Sequence, residues 1–197
     1  IFSMSLGTSL CSFSAQMLAF VSLPFFLQNT LGLNSVETGL LLTPWPLATM
    51  VMAPIAGRLV ERFHPGMLGG IGLIVFSFGL FSLSLLPPEP SHLNIIWRML
   101  LCGAGFGLFQ SPNNHTIISS APRNRSGGAS GLLGTARLLG QTTGAAMVAL
   151  MFNLFPSHGT HASLILAGTL AGTGALVSLM RMTQKTSSQK EAEGSKP

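Results

Sequence analysis

Two arginines, Arg98 and Arg137, lie inside long apolar stretches, and none of the five acidic residues does. A guanidinium within a membrane-spanning helix costs roughly 2.5–3.5 kcal/mol at the helix centre. It either snorkels to the headgroups or faces a partner or a wet cavity, where it can hold or steer a polar species. The acids are placed elsewhere: Glu37 at a helix end, Glu61 and Glu89 in loops, Glu191 and Glu193 in the C-terminal tail. Proton carriers in membranes are usually intramembrane carboxylates. This chain has none, with Glu37 and His115 as marginal substitutes. Other chemistries lack their residues. There are no paired carboxylates and no Gly-x-Ser-x-Gly, and His64, His92, His115, His158 and His161 are scattered without zinc spacing. Cys11 and Cys102 fall in apolar segments and read as small packing residues. Neither enzyme activity nor a metal or other cofactor is implied.

The elements that must carry these residues follow from composition. Only 8% of the 197 residues are charged, against about a quarter in a soluble domain, and the mean hydropathy is +0.54. About 20 apolar residues span the hydrocarbon core. The chain divides into six such helices, at about 4–27, 37–59, 66–86, 93–115, 128–154 and 162–180. The expected fold is therefore all-α and polytopic, a transmembrane domain over 1–182 followed by a disordered tail over 183–197. Helix two holds Pro44, Pro46 and Pro54, which predicts a kink, and helix three stops at Pro87-Pro88. Ile1 already lies in apolar sequence, so the chain is expected to begin inside a longer protein.

The net charge of +5 could point to nucleic acid, but its distribution excludes that partner. Arg58 and Arg62 flank the second loop, Arg123 and Arg125 lie in the fourth, and Arg181, Lys185, Lys190 and Lys196 belong to the tail. Loops 28–36, 87–92 and 155–161 carry no Lys or Arg. Positive charge in every second loop is an orientation signal, and it predicts that both ends of this segment are cytoplasmic. Gly39-Leu40-Leu41 opens helix two and Gly131-Leu132-Leu133 opens helix five, three helices later. The match hints at a three-plus-three inverted repeat.

Three motifs carry a family resemblance. Gly57, Arg58, Glu61 and Arg62 in the run Gly57–Gly66 resemble the cytoplasmic loop signature of the major facilitator superfamily, with Glu61 for the usual aspartate and His64 where a glycine is expected. A carboxylate there can pair with guanidinium groups and latch neighbouring helices in one state. Arg98 followed by Gly103, Gly105 and Gly107 looks like the superfamily's arginine and glycine-rich helix motif. The run Ser130–Gly144 is similar to the penultimate helix of the fourteen-span drug:proton antiporters. The pairs Gly103/Gly107, Gly140/Gly144 and Gly168/Gly172 suit close helix packing.

The resemblance implies the carboxy-terminal half of a multidrug exporter in a bacterial inner membrane, with the amino-terminal half as its partner and protons as the coupling ion. In that fold the first, second, fourth and fifth helices of each half line a central cavity. This selects Gln16, Met17, Phe20, Trp45, Gln110, Asn113, Asn114 and Gln141 as cavity candidates, with Arg98 and Arg137 as intramembrane charges. Aromatic, thioether and amide groups without an anionic anchor suit amphipathic or cationic drugs. A metabolite transporter of the same superfamily, or a non-transporting assembly or sensor module, are the alternatives.

Overall fold

The computed structural model describes residues 2–120 and 126–194, so Arg123 and Arg125 lie outside the described residues. Helix α1 (Phe2–Phe25) runs into a π-helical turn, Phe26–Thr30. It is followed by α2 (Ser35–Leu42), α3 (Pro44–Leu59), α4 (Pro65–Ser84), α5 (His92–Ser119), α6 (Ser126–Leu154) and α7 (Gly159–Gly194). No strand occurs among the described residues. Helices α2 and α3 form one span interrupted at Thr43. Pro44 and Pro46 have no N–H to give the carbonyls four residues back, so the ladder breaks there. Helix α7 continues to Gly194 without a break at residue 182, where the sequence predicts a disordered tail. The stretch 183–193 has Gln, Lys, Glu and Ala, which propagate a helix readily once a span has nucleated it.

Starts and stops have local causes. Asn34 caps α2 in a capping box: its side chain accepts from the N–H groups of Val36 and Glu37, and its own N–H donates to Glu37 Oε2 at 3.1 Å. His64 caps α4, its Nδ1 accepting the Gly66 N–H at 3.1 Å, with Pro65 in the first helical position. Ser91 Oγ accepts the Asn94 N–H at the start of α5. Gly32, at φ +66°, turns the chain between α1 and α2.

Five helical stretches are long and apolar enough to cross a membrane, and α6 is not among them. With 29 residues it has the length. Its glycines, threonines, Arg137 and Gln141 lower its apolarity, yet it packs alongside the others. Helix α1 packs on α6 and α7, α5 packs on α3 and α4, and α4 packs on α7. Exchanging the first three spans for the last three leaves these pairings unchanged, as a three-plus-three repeat requires.

Glycines set the spacing. A Cβ on Gly72 of α4 would lie 2.5 Å from the Phe109 nitrogen and 2.8 Å from the Gly105 oxygen of α5. Gly144 of α6 would meet the Ser14 oxygen of α1 at 2.5 Å. Both neighbours are backbone, which cannot swing aside. By contrast, Gly39 and Gly131, the matched glycines of the repeat, face open space. We therefore expect Gly72→Ala to destabilise the fold by about 1–3 kcal/mol through overpacking. Gly131→Ala should be neutral or gain about 0.5–1 kcal/mol from helix propensity. Thermal unfolding of the purified protein in detergent checks both, and equal behaviour of the two variants would refute glycine-set spacing.

Candidate functional site

Four helices converge on a cavity of ≈ 280 Å³, near mid-length in α1, α5 and α6 and in the first two turns of α3. Helix α1 contributes Phe13, Gln16 and Phe20. From α3 come Trp45, Pro46, Thr49 and Met50, and from α5 Phe106 and Gln110. Helix α6 adds only Arg137. Of the cavity candidates, the structure thus gathers Gln16, Phe20, Trp45 and Gln110 in one place, with Arg137 beside them. Helical phase hides Phe13, Thr49, Met50 and Phe106, which read in sequence as ordinary apolar or back-bonding residues.

The walls are aromatic and interlocked. Phe20 stacks on Trp45 at 4.8 Å between ring centroids, Trp45 meets Phe76 edge-on at 5.5 Å, and Phe76 meets Phe106 at 5.5 Å. Phe106 in turn meets Phe13 at 5.6 Å, and the Arg137 guanidinium lies 5.5 Å over the Phe13 ring. Each such pair contributes about 0.5–1.5 kcal/mol beyond its buried area. Thr49 Oγ1 bridges α3 and α5 by donating to the carbonyls of Trp45 (3.1 Å) and Gly103 (3.0 Å). The Trp45 ring is 1% exposed, and its Nε1–H is buried without an acceptor. An orphaned buried donor costs about 1–3 kcal/mol.

The remaining candidates stand elsewhere. Met17 packs toward α6 beside Gly144. Gln141 and Asn114 are half-buried but outside the cavity wall. Asn113 is buried as a brace between α5 and α1: its Nδ2 donates to the Ser5 carbonyl (3.3 Å) and Ser9 Oγ (2.7 Å), and its Oδ1 accepts from Thr8 Oγ1 (3.3 Å). The polar stripe Ser5, Thr8, Ser9, Ser12 on α1 was the signal that could have located this brace, since a hydroxyl row inside a span needs partners. Arg98 faces the end of α4, its Nη1 donating to the Ser82 carbonyl and its Nε to Asn94 Oδ1 at 3.0 Å, with the guanidinium 5.1 Å over Trp97. A cation at the last carbonyls of a helix is favoured by the helix dipole. Glu61 and Arg62 are exposed on a tight turn, and Gly57 and Arg58 stand exposed just before it in the last turn of α3. Glu37, tied up in the α2 capping box, is a structural group in this arrangement.

A model described as the Major Facilitator Superfamily matches residues 1–145. The chain belongs to the major facilitator superfamily. It is 68% identical over 187 residues to a protein of Escherichia coli K12 described as the uncharacterized transporter YebQ, covering 95% of this chain and 41% of YebQ. The riboflavin transporter RibZ of Clostridioides difficile 630 is 30% identical over 148 residues, 72% of this chain and 31% of RibZ. The multidrug resistance protein Stp of Mycobacterium tuberculosis H37Rv is 32% identical over 123 residues, 62% of this chain and 23% of Stp. The chain spans less than half the length of these superfamily relatives. It is a multi-pass, all-α membrane protein.

Within this superfamily fold, Asn113 and Gln110 sit one turn apart on α5 but differ in role. Asn113→Ala should destabilise the protein by about 1–2 kcal/mol by removing interhelical hydrogen bonds in an apolar setting. Asn114→Ala should leave stability within about 0.5 kcal/mol, as substitutions away from packed features do. Unfolding midpoints of the two variants decide it, and a stable Asn113→Ala protein would mean that the brace carries no weight.

Proposed function

We propose that this chain is one half of a secondary active transporter that exports amphipathic aromatic drugs, driven by protons, by alternating access. The observation that carries this is the aromatic and amide-lined cavity at mid-length, built from α1 and α3 of the first triplet and α5 and α6 of the second. Substrate sites of repeat-built transporters lie near the bilayer midplane at the repeat interface. Rocking of the two halves would expose such a site to each side in turn. The resistance function in the name of Stp supports drug efflux. Among the described residues no carboxylate lines the cavity, so the proton carrier in this reading belongs to the amino-terminal half. The alternate-loop charges support a bacterial inner-membrane location with both ends of the segment cytoplasmic, and the exposed Arg58, Glu61 and Arg62 form a latch that meets the other half in one state.

A second reading, transport of one metabolite, is favoured by Arg137, because a fixed charge in the cavity wall selects its ligand more sharply than aromatic walls do. The riboflavin named for RibZ is in keeping with it. Expression of the intact protein in a drug-sensitive bacterial host tests the first reading. Resistance to aromatic amphipathic drugs should rise several-fold, collapse with a protonophore, and be lost in Trp45→Ala and Gln110→Ala proteins that still reach the membrane. Unchanged susceptibility to every such drug, with the protein folded in the membrane, would sink drug efflux and leave the metabolite reading.

A further inference from the structure

We infer that the cavity is built to hold a planar aromatic anion, with its ring against Phe20, Pro46 and Met50 and its charge on Arg137. This rests on the reading of the cavity as a substrate site and replaces the expectation of a lipophilic cation.

Charge is the first reason. Among the described residues, Arg137 is the only ionisable group in the cavity wall; the other polar groups are the amides of Gln16 and Gln110 and the Thr49 hydroxyl. An organic cation would sit beside a like charge that repels it. An anion finds a planar fork of N–H donors that matches a carboxylate. Among the described residues the guanidinium has no hydrogen-bond or ion-pair partner, only the Phe13 ring face.

The aromatic walls point the same way. Rings attract cations through their faces, which would ordinarily favour a cationic ligand. Here the protein supplies the cation itself, because Arg137 already lies over Phe13. What the walls still offer a ring system is the apolar surface of Phe20, Pro46 and Met50.

Trp45 closes one side of the cavity, its ring packed between Phe20 and Phe76. The ≈ 280 Å³ of space takes a two-ring molecule, at the lower end of ligand cavities of about 300–1,000 Å³.

Three probes that share one ring system separate the possibilities: naphthalene-2-carboxylate, naphthalene-2-carboxamide and naphthalen-2-ylmethylammonium. Binding of each to the intact protein in lipid nanodiscs is measured by calorimetry. We expect the carboxylate to bind on the order of tenfold more tightly than the amide, as a charge-assisted hydrogen bond provides, and the ammonium to bind most weakly. Arg137→Gln should bring the carboxylate down to the level of the amide, and Arg137→Lys should keep part of the difference. A carboxylate that gains nothing over the amide in the unaltered protein would overturn the inference, and would mean that an acid elsewhere in the protein already neutralises Arg137. An ammonium that binds as tightly as the carboxylate, or no binding by any probe, would overturn it too. Flux of the same probes into proteoliposomes keeps the two readings apart. Carboxylate binding without gradient-driven flux would refute transport and leave the site, whereas driven flux of the ammonium alone would refute the site and leave transport.

Discussion

Lipid tails are as apolar as the leucines of a membrane helix, so helices in a bilayer do not associate by escaping water. This bundle depends instead on backbones brought within reach of one another at glycines, where a hydroxyl of the facing helix donates to the glycine carbonyl. Ser14 of α1 donates to Gly140 of α6 at 2.9 Å, and Thr49 of α3 to Gly103 of α5 at 3.0 Å. Between α4 and α7, Ser77 donates to Gly168 at 2.7 Å and Ser178 to Gly66 at 3.1 Å. The same device serves three interfaces, two of which correspond under the repeat. A side chain on these glycines would both separate the helices and shield the carbonyl, so spacing and hydrogen bonding stand or fall together.

The cavity is a consequence of that spacing. Thr49 both joins α3 to Gly103 and lines the cavity, so the contact that sets the α3–α5 distance also fixes the Trp45 side of the site. On the other side, Phe13 packs where a Cβ of Gly140 would lie, 3.0 Å away, and carries the Arg137 guanidinium on its ring. Packing and binding surfaces are neighbouring turns of the same helices. Functional side chains can then be few, because their positions come from backbone contacts rather than from a dedicated polar scaffold.

The sequence makes the spans legible through long apolar runs, prolines and alternate-loop charge, because the bilayer leaves few other solutions for such a chain. It also exposes the glycine pairs, since small residues four apart share a helix face. Side-chain roles are less accessible. Gln110 and Asn113 are both amides on α5, yet three residues rotate the helix by about 300°, and one meets the cavity while the other braces α1. Only the serine-rich face of α1 separates them, and its partner is invisible without the fold. Arg98 shows the same limit: whether a span arginine faces a cavity or the end of a neighbouring helix depends on helix stagger, which one sequence does not encode locally. His64 looked like a departure from a loop signature and is the cap that starts α4.

Helix α6 brings these threads together. Gly140 and Gly144 clamp its middle to α1, whereas Gly127, Gly128, Gly131 and Gly134 have no neighbour within 4 Å. Beside this open stretch, a cavity of ≈ 400 Å³ separates Leu6 and Leu10 of α1 from Leu132 and Leu139 of α6. A glycine in a helix costs about 0.5–1 kcal/mol relative to alanine, so the open glycines weaken the helix without improving its packing in this arrangement. That stretch is nevertheless seated, because Ala129 and Ala136 are buried on it. Arg137 lies one turn from Gly140 on the same side. The clamp that holds α6 against α1 therefore also sets where the charged wall of the cavity stands relative to the aromatic walls on α1, α3 and α5.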